Sequence, residues 1–276
     1  MQTRIISVGE VSLECMMHGS GDALVLLPNA GCSASYFEHF ARRLTLAGFQ
    51  IVAINMRGVA SSTGSLAGVS LHDLAADVAG VIEAFGCAPA HVLGHAFGNR
   101  VARCLAANRP DLVRSVILLA AGGLIAPPTP LGSAFRNAGD GKRSGPECAA
   151  LGARWLSPAS DPRVLEPVEC WPMMHIAQIA TSQNTRFEDW WTAGTAPMLV
   201  VQGLDDNAAP PGNGYALRDA VGDRVQVVDI PGAGHFMILE QPDAVHEAVL
   251  RFSAPHFDRS TVVLRLVRWE DRYRLT

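Results

Sequence analysis

The sequence contains no long hydrophobic run, no cluster of positive charge and no closely spaced pair of cysteines. Its longest apolar stretches, such as Val116 to Ala121, are far too short to cross a bilayer. The first residues lack the apolar core of a signal peptide. The formal net charge is −4, and lysine and arginine form no stripe. We therefore expect neither a nucleic acid nor a membrane as a partner.

The cysteine pattern gives no sign of a disulfide framework or of a metal site. Six cysteines are scattered along the chain, without a CxxC pair or a histidine at ligand spacing. This usage is typical of reduced thiols, so we expect a cytoplasmic protein. No His/Asp/Glu cluster has metal spacing, and no glycine-rich dinucleotide loop is present. Hence no metal and no cofactor are expected.

Length and composition favour one globular core. The chain has 276 residues, of which 49% are hydrophobic and 17% are charged. This is enough apolar material for a sizeable core and is at the upper end of what a single α/β domain holds. No internal repeat occurs, so solenoids and propellers are excluded. We expect one core domain with a modest insertion.

Strand-like and helix-like segments alternate along most of the chain. Two alternating runs, Arg4–Gly9 and Val11–His18, predict an edge hairpin. Further strands are predicted at Ala23–Leu27, Gln50–Asn55, His91–Leu93, Val113–Ala121, Met198–Val201 and Val225–Ile230. Helices are predicted at Tyr36–Ala47, Leu71–Phe85, Phe97–Asn108, Tyr215–Val221 and Pro242–Phe252. Ser70 with Asp73 resembles a capping box. Such alternation predicts a doubly wound, mostly parallel β-sheet.

Two segments depart from this rhythm. Residues 124–196 are rich in proline, glycine and tryptophan and show no clear strand, which predicts a small helical cap inserted into the core. The core is then 1–123 and 197–255. Residues 256–276 form a C-terminal tail of unknown role, although Ser260–Trp269 alternates like a strand. An equal alternative for 124–196 is a set of surface helices whose tryptophans pack inward.

The segment Gly94-His95-Ala96-Phe97-Gly98 lies between a predicted strand and a predicted helix. Two glycines around a central residue permit a sharp, strained turn that lifts the central residue above the sheet. The helix that follows directs its N-terminal N–H groups and positive dipole end toward that place.

These residues resemble the nucleophile elbow of the α/β-hydrolase family, with Ala96 in the place of the serine. The likeness extends from about Leu24 to Phe252. Gly203-Leu204-Asp205-Asp206 resembles the family's G-x-x-D, which implies that Asp206 is the acid, with Asp205 as the next candidate. Gly232-Ala233-Gly234-His235 resembles its histidine loop. The order elbow, acid, histidine is the one expected for this fold.

Two further landmarks are similar but altered. Pro28-Asn29-Ala30-Gly31 stands where the family reads His-Gly-x, and the resemblance implies that the N–H groups of Ala30 and Phe97 form an oxyanion hole. Asn55 to Ser62 resembles D-x-R-G-x-G-x-S, with Asn for Asp and Ala for Gly. We assign no chemistry to that second segment.

Several other residues are weaker candidates. Trp155, Trp171 and Trp190 in the predicted cap would bind a small, largely apolar substrate. Cys32 lies in the oxyanion loop, but no base is near it in sequence, so a buried thiol is the preferred interpretation. His175 is expected to face solvent rather than a ligand.

Alanine at the elbow closes the acyl-enzyme route, because a methyl group cannot attack a carbonyl. Three explanations remain open. The alanine is an engineered knock-out of a serine hydrolase acting on an ester or lactone. It is natural, with His235 and Asp206 as a general base on water or on an acidic substrate proton, as in a cofactor-free lyase or cyclase. Or the protein binds a small molecule without turnover.

Overall fold

One mixed sheet runs through the molecule. The computed structural model describes residues 2–128 and 132–253. Within them eight strands are ordered β1-β2-β4-β3-β5-β6-β7-β8. The strands are β1 (Gln2–Val8), β2 (Val11–His18), β3 (Asp22–Leu27), β4 (Phe49–Ile54), β5 (Ala90–His95), β6 (Val113–Leu119), β7 (Met198–Gly203) and β8 (Val225–Ile230). Only the pairs β1–β2 and β2–β4 are antiparallel among these strands, which confirms the mostly parallel sheet.

Helices connect the parallel strands. They are α1 (Glu38–Leu46), α2 (Leu71–Phe85), α3 (Phe97–Asn108), α4 (Gly132–Asn137), α5 (Pro146–Gly152), α6 (Pro172–Thr181), α7 (Gly212–Val221), α8 (Met237–Glu240) and α9 (Pro242–Ser253). The capping box that begins α2 is formed: the Ser70 hydroxyl accepts from the Asp73 N–H, and the Asp73 carboxylate accepts from the Ser70 N–H. No helix in the described part of the chain is both long and apolar enough to span a membrane.

The sheet is covered on both faces, and β3 shows why. Leu24 and Leu26 pack into one hydrophobic cluster with residues of α1 and α9. Val25 and Leu27 point the other way, into a second cluster with residues of α2 and α3. Because successive side chains of a strand alternate between faces, a strand buried on both sides is apolar throughout. The doubly wound architecture is confirmed.

The strand order creates a crevice at the carboxyl ends of β3 and β5. These two strands are neighbours, yet the chain leaves β3 toward α1 on one face and leaves β5 toward α3 on the other. Ligands of doubly wound sheets bind at such a switch point, where the two connections diverge. Both the elbow at residue 96 and the loop at residues 28–31 lie there.

We call residues 124–196 the cap segment. In its described part, α4, α5 and α6 are joined by 3₁₀ turns at Ala153–Trp155, Pro162–Leu165, Ser182–Asn184 and Phe187–Asp189. Its β structure there amounts to isolated bridges, from Cys170 to Arg143 and from Cys170 to Cys32. The alternating run Ser260–Trp269 and the tail at 256–276 lie outside the described residues.

Candidate active site

The elbow is built on two close backbone approaches. Ala96 has φ 52° and ψ −107°, a strained conformation for a residue with a side chain. A Cβ at Gly94 would lie 2.3 Å from the backbone N of Asn99, and one at Gly98 would lie 2.3 Å from the carbonyl O of Leu27. Only glycine fits either position, so the spacing of the two glycines is a steric requirement of the turn.

His235 and Asp206 form a buried pair. His235 Nδ1 lies 2.9 Å from Oδ2 and 3.1 Å from Oδ1 of Asp206. The Asp206 side chain is fully buried, and its Oδ1 also accepts from the N–H groups of Ala208 and Ala209 at 2.8 Å each. A carboxylate held by several donors fixes the ring and the tautomer of its histidine. Asp205 instead accepts from the Ser157 hydroxyl at 2.6 Å, so the structure brings Asp206 to the histidine.

The loop that carries His235 is tied to the cap segment. The His235 N–H donates to the carbonyl of Trp155 at 2.7 Å. A Cβ at Gly234 would lie 2.4 Å from that same carbonyl oxygen, so this contact requires glycine. Glu240 accepts from the N–H groups of Gly234 and Ser157, at 3.0 and 2.7 Å. The position of the histidine therefore depends on residues 155–157.

A chain of hydrogen bonds under the elbow joins the two loops of the site. The Asn29 N–H donates to the Tyr36 hydroxyl at 3.0 Å, and this hydroxyl lies 2.7 Å from His95 Nδ1. His95 Nε2 lies 2.8 Å from the carbonyl O of His235. Since a carbonyl only accepts, Nε2 carries the proton and Nδ1 accepts from tyrosine. Burial lowers the pKa of His95 to about 3, so this ring is neutral.

The oxyanion loop differs from its predicted form at one bond. The backbone N–H of Ala30 donates to Oδ1 of Asn29 at 2.7 Å. The donor that is predicted to face the substrate oxygen is therefore engaged by a neighbouring side chain. The other predicted donor, Phe97, is the first residue of α3, where an N–H has no carbonyl partner within the helix.

These elements surround one pocket. Ala96 and His235 both line it, with Asn29 and Arg100 from the core and Trp155 and His175 from the cap segment. Neither Asn29 nor Arg100 is among the site residues predicted from the sequence. Asn29 could have been selected because it replaces a glycine that the family has at this place. Nothing in the sequence distinguishes Arg100 from any other arginine on a helix.

The three predicted substrate-binding tryptophans separate in the structure. Trp155 is buried, lines the pocket and lies with its ring centroid 6.1 Å from that of His235. Trp190 does not line the pocket; it is buried behind α3, with the Arg103 guanidinium 4.4 Å from its ring centroid. Trp171 does not line it either; it immediately precedes α6, and its backbone N–H donates to the Gly31 carbonyl. Aromatic content alone does not distinguish pocket walls from core.

His175 and Cys32 also differ in position. His175 is buried instead of facing solvent: it lines the pocket, stacks on Phe135 at 3.9 Å, and has Nδ1 3.1 Å from the carbonyl O of Ala30. Burial lowers its pKa to about 4. Cys32 lines an adjoining cavity with Cys148 and Cys170, and burial raises its pKa well above the ordinary value. A protonated thiol is a poor nucleophile.

Comparison with known proteins agrees with this fold. Residues 22–142 match the family model described as alpha/beta hydrolase fold, and residues 161–255 match one described as TAP-like protein.

Similar proteins are named as enzymes of several kinds. "Putative non-heme bromoperoxidase BpoC" of Mycobacterium tuberculosis is 26% identical over 258 residues, covering 86% of this chain and 95% of that protein. Rhodomycin D methylesterase DauP of a Streptomyces species is 27% identical over 307 residues, covering 95% and 100%. The crystal structure of E-2-(acetamidomethylene)succinate hydrolase has a TM-score of 0.74 at 24% identity, covering 91% of this chain and 98% of that one, which shows the shared fold.

Proposed function

Because this chain belongs to the α/β-hydrolase fold family, we propose that it is an enzyme of that family whose His235–Asp206 pair acts as a general base without a covalent serine intermediate. The observation that carries the proposal is the 2.9 Å contact between His235 Nδ1 and Asp206, beside a pocket that Ala96 also lines. We propose a small organic ester or lactone as the substrate.

The side chains around Ala96 favour a base over a nucleophile. Ala96 has no reactive atom, and Cys32 lies in the adjoining cavity with its pKa raised. Within the described residues, the pocket wall contains no serine, threonine, cysteine or lysine. A neutral imidazole with Nδ1–H bonded to a carboxylate keeps Nε2 free to accept a proton.

The proposed reaction is direct attack by water. His235 Nε2 takes a proton from the water as its oxygen bonds to the substrate carbonyl carbon. The carbonyl electrons move to oxygen and return as the C–O bond to the alcohol breaks. The leaving oxygen takes the proton back from His235, whose charge Asp206 stabilises meanwhile. The N–H of Phe97 at the start of α3 supports the developing negative charge.

One observation favours a second candidate. The Ala30 N–H is already engaged by Asn29, which weakens stabilisation of a tetrahedral oxyanion. A reaction that only removes an acidic proton, as a cofactor-free lyase or cyclase does, depends less on that donor. The base is the same histidine in both cases.

The test is hydrolysis of a panel of p-nitrophenyl esters and γ- and δ-lactones by the wild type, His235→Ala and Asp206→Asn. We expect His235→Ala to lose about 10²-fold or more in kcat/KM, the usual size of a general-base contribution. The control is His39→Ala, an exposed histidine on α1, which should be unchanged. Turnover unchanged in His235→Ala would refute the base role, and a folded wild type inert on every substrate would point to a lyase or a binding protein.

A further inference from the structure

We propose that Arg100 binds a carboxylate of the ligand, so that the pocket takes an organic anion rather than a neutral molecule. The inference rests on the proposed function only in placing the reacting bond of that anion at His235. It replaces the largely apolar ligand predicted from the sequence with an amphiphilic one.

Arg100 lies on the reacting side of the pocket. It lies in the first turn of α3, four positions after Ala96. Arg100 lines the same pocket as Ala96 and His235. A Cβ at Gly122, another lining residue, would lie 3.7 Å from Nη2 of Arg100, so the guanidinium reaches that wall.

The guanidinium has few partners for a partly buried charge. Its Nη1 donates to the Ser182 hydroxyl at 3.0 Å, and its Cζ lies 5.7 Å from the centroid of the Trp190 ring. No carboxylate forms a salt bridge with it in the parts of the chain that the structure describes. Several of its N–H donors therefore have no partner among the described residues and can bind a ligand.

Two other arginines show how this chain otherwise compensates such groups. Arg103, one turn along α3, donates at 2.7 Å to both Oδ1 of Asn99 and the carbonyl of Gly122. Arg57 makes two bonds of 2.6 and 2.8 Å to the carboxylate of Asp77. Arg100 has neither arrangement, and it is the arginine that lines the pocket.

The electrostatics favour an anion at this place. Burial lowers the pKa of the Arg100 guanidinium, which reflects the cost of keeping the charge there without a counter-ion. The N-terminus of α3 adds its positive dipole end to the same pocket. A bound carboxylate would neutralise the guanidinium charge and would lie near the positive end of the α3 dipole. Its two oxygens match the planar fork of a guanidinium.

The other walls define the rest of the ligand. The rest of the pocket wall includes apolar side chains, which would contact the part of the ligand between Arg100 and the histidine: Ile179, Ala208, Ala209 and Trp155. A ligand with an acid at one end and a compact apolar body matches this arrangement. In an ester or lactone substrate, the acid would be a second group that does not react.

The experiment compares two probes of the same shape and different charge, phenylacetate and phenylacetamide, by isothermal titration calorimetry. The wild type should bind phenylacetate at least about tenfold more tightly, since hydrogen bonds to charged groups are worth more than neutral ones. Arg100→Met should remove this preference, and Arg100→Lys should keep part of it. Arg114→Met, which removes an exposed arginine paired with Asp22, is the control for net charge and should behave as the wild type.

Equal affinity of the wild type for the two probes, or no binding of phenylacetate, would overturn the proposal. So would a preference that survives Arg100→Met in a variant that melts like the wild type. His235→Ala separates this inference from the proposed function, because it should lose turnover and still bind phenylacetate. Anion binding without His235-dependent turnover would leave Arg100 assigned and refute only the base role.

Discussion

The side-chain oxygen of Asn29 accepts a hydrogen bond of 2.7 Å from the backbone N–H of Ala30. The resemblance to hydrolases implied that this N–H would face the substrate oxygen. In the structure a developing oxyanion would have to compete with a neutral amide oxygen that is already in place. Together with the methyl group of Ala96, this bond removes two of the contributions on which acyl transfer by a serine hydrolase depends.

Ala96→Ser should create a nucleophile that His235 can activate. Ala96 and His235 line the same pocket, so a hydroxyl on the Cβ of residue 96 should face the space that the histidine borders. We expect covalent labelling by a fluorophosphonate, and ester turnover raised on the order of 10³-fold over the parent. Mass spectrometry should locate the label at residue 96. The double variant Ala96→Ser/His235→Ala is the control and should stay unlabelled; labelling that persists in it would mean that the histidine is not the activating base.

Asn29→Gly, introduced beside Ala96→Ser, should increase that activity further. Glycine removes the oxygen that engages the Ala30 N–H and restores the residue type usual in the family at this place. One oxyanion donor is worth roughly 10²- to 10³-fold in kcat, so a gain of at least about tenfold is expected. The measurement is the second-order rate of fluorophosphonate labelling. A slower rate would show instead that the amide of Asn29 itself stabilises the oxyanion.

Arg103→Met should destabilise the protein by about 2–4 kcal/mol, because it leaves buried acceptors without a donor. Arg103 is fully buried, its guanidinium lies 4.4 and 5.1 Å from the ring centroids of Trp190 and Trp191, and it donates to Asn99 and Gly122. Urea unfolding measures the change. Arg114→Met, which removes an exposed ion pair, should cost less than about 1 kcal/mol. Similar losses in both variants would contradict the special role of Arg103.

Acid should destabilise the fold below about pH 6.5. Burial is the largest cause of low pKa values among the histidines: it lowers the pKa of His95 to about 3 and those of His91, His175 and His246 to about 4, from an ordinary value of 6.5. The unfolded chain therefore binds more protons than the folded one between about pH 3 and 6.5, and the free energy of unfolding falls as the pH falls through this range.

At pH 5.5 each of these histidines lowers the free energy of unfolding by on the order of 1 kcal/mol. Thermal melts at pH 7.5 and 5.5 measure the sum as a lower melting temperature at pH 5.5. His91→Gln is a useful comparison because it removes one such group, whose Nδ1 lies 2.7 Å from the Ser115 hydroxyl, far from the pocket. A melting temperature that does not change between the two pH values would contradict neutral buried histidines.

Much of the core follows from periodicity and local chemistry. The apolar run at residues 23–27 predicts a strand buried on both faces, and the structure extends it by one residue to Asp22. The helix Leu71–Phe85 has its predicted bounds because its caps are local: a Ser70–Asp73 box at one end and Gly86 in a left-handed conformation at the other. The strand beginning at Val113 ends at Leu119 rather than Ala121, since Ala120 has φ 56° and leaves the extended conformation.

The parts of the site that sequence did not reveal depend on long-range packing. Arg100 resembles any polar residue on an amphipathic helix, and only the positions of Gly122 and Ser182 show that it reaches a pocket. His95 and Tyr36 are 59 positions apart, so no local pattern announces their hydrogen bond. Trp155 and Trp190 look alike in sequence, and tertiary contacts alone assign one to the pocket and the other to Arg103.

The oxyanion loop and helix α6 are joined closely enough to act as one mechanical unit. The Trp171 N–H donates to the Gly31 carbonyl at 2.7 Å, and His175 lies 3.1 Å from that of Ala30. A Cβ at Gly31 would lie only 2.5 Å from the backbone N of His175. Withdrawing α6 to widen the pocket would pull residues 29–31 away from the elbow. A ligand that displaced α6 on entry would therefore also disturb the oxyanion loop, which would have to return to the elbow before the reaction.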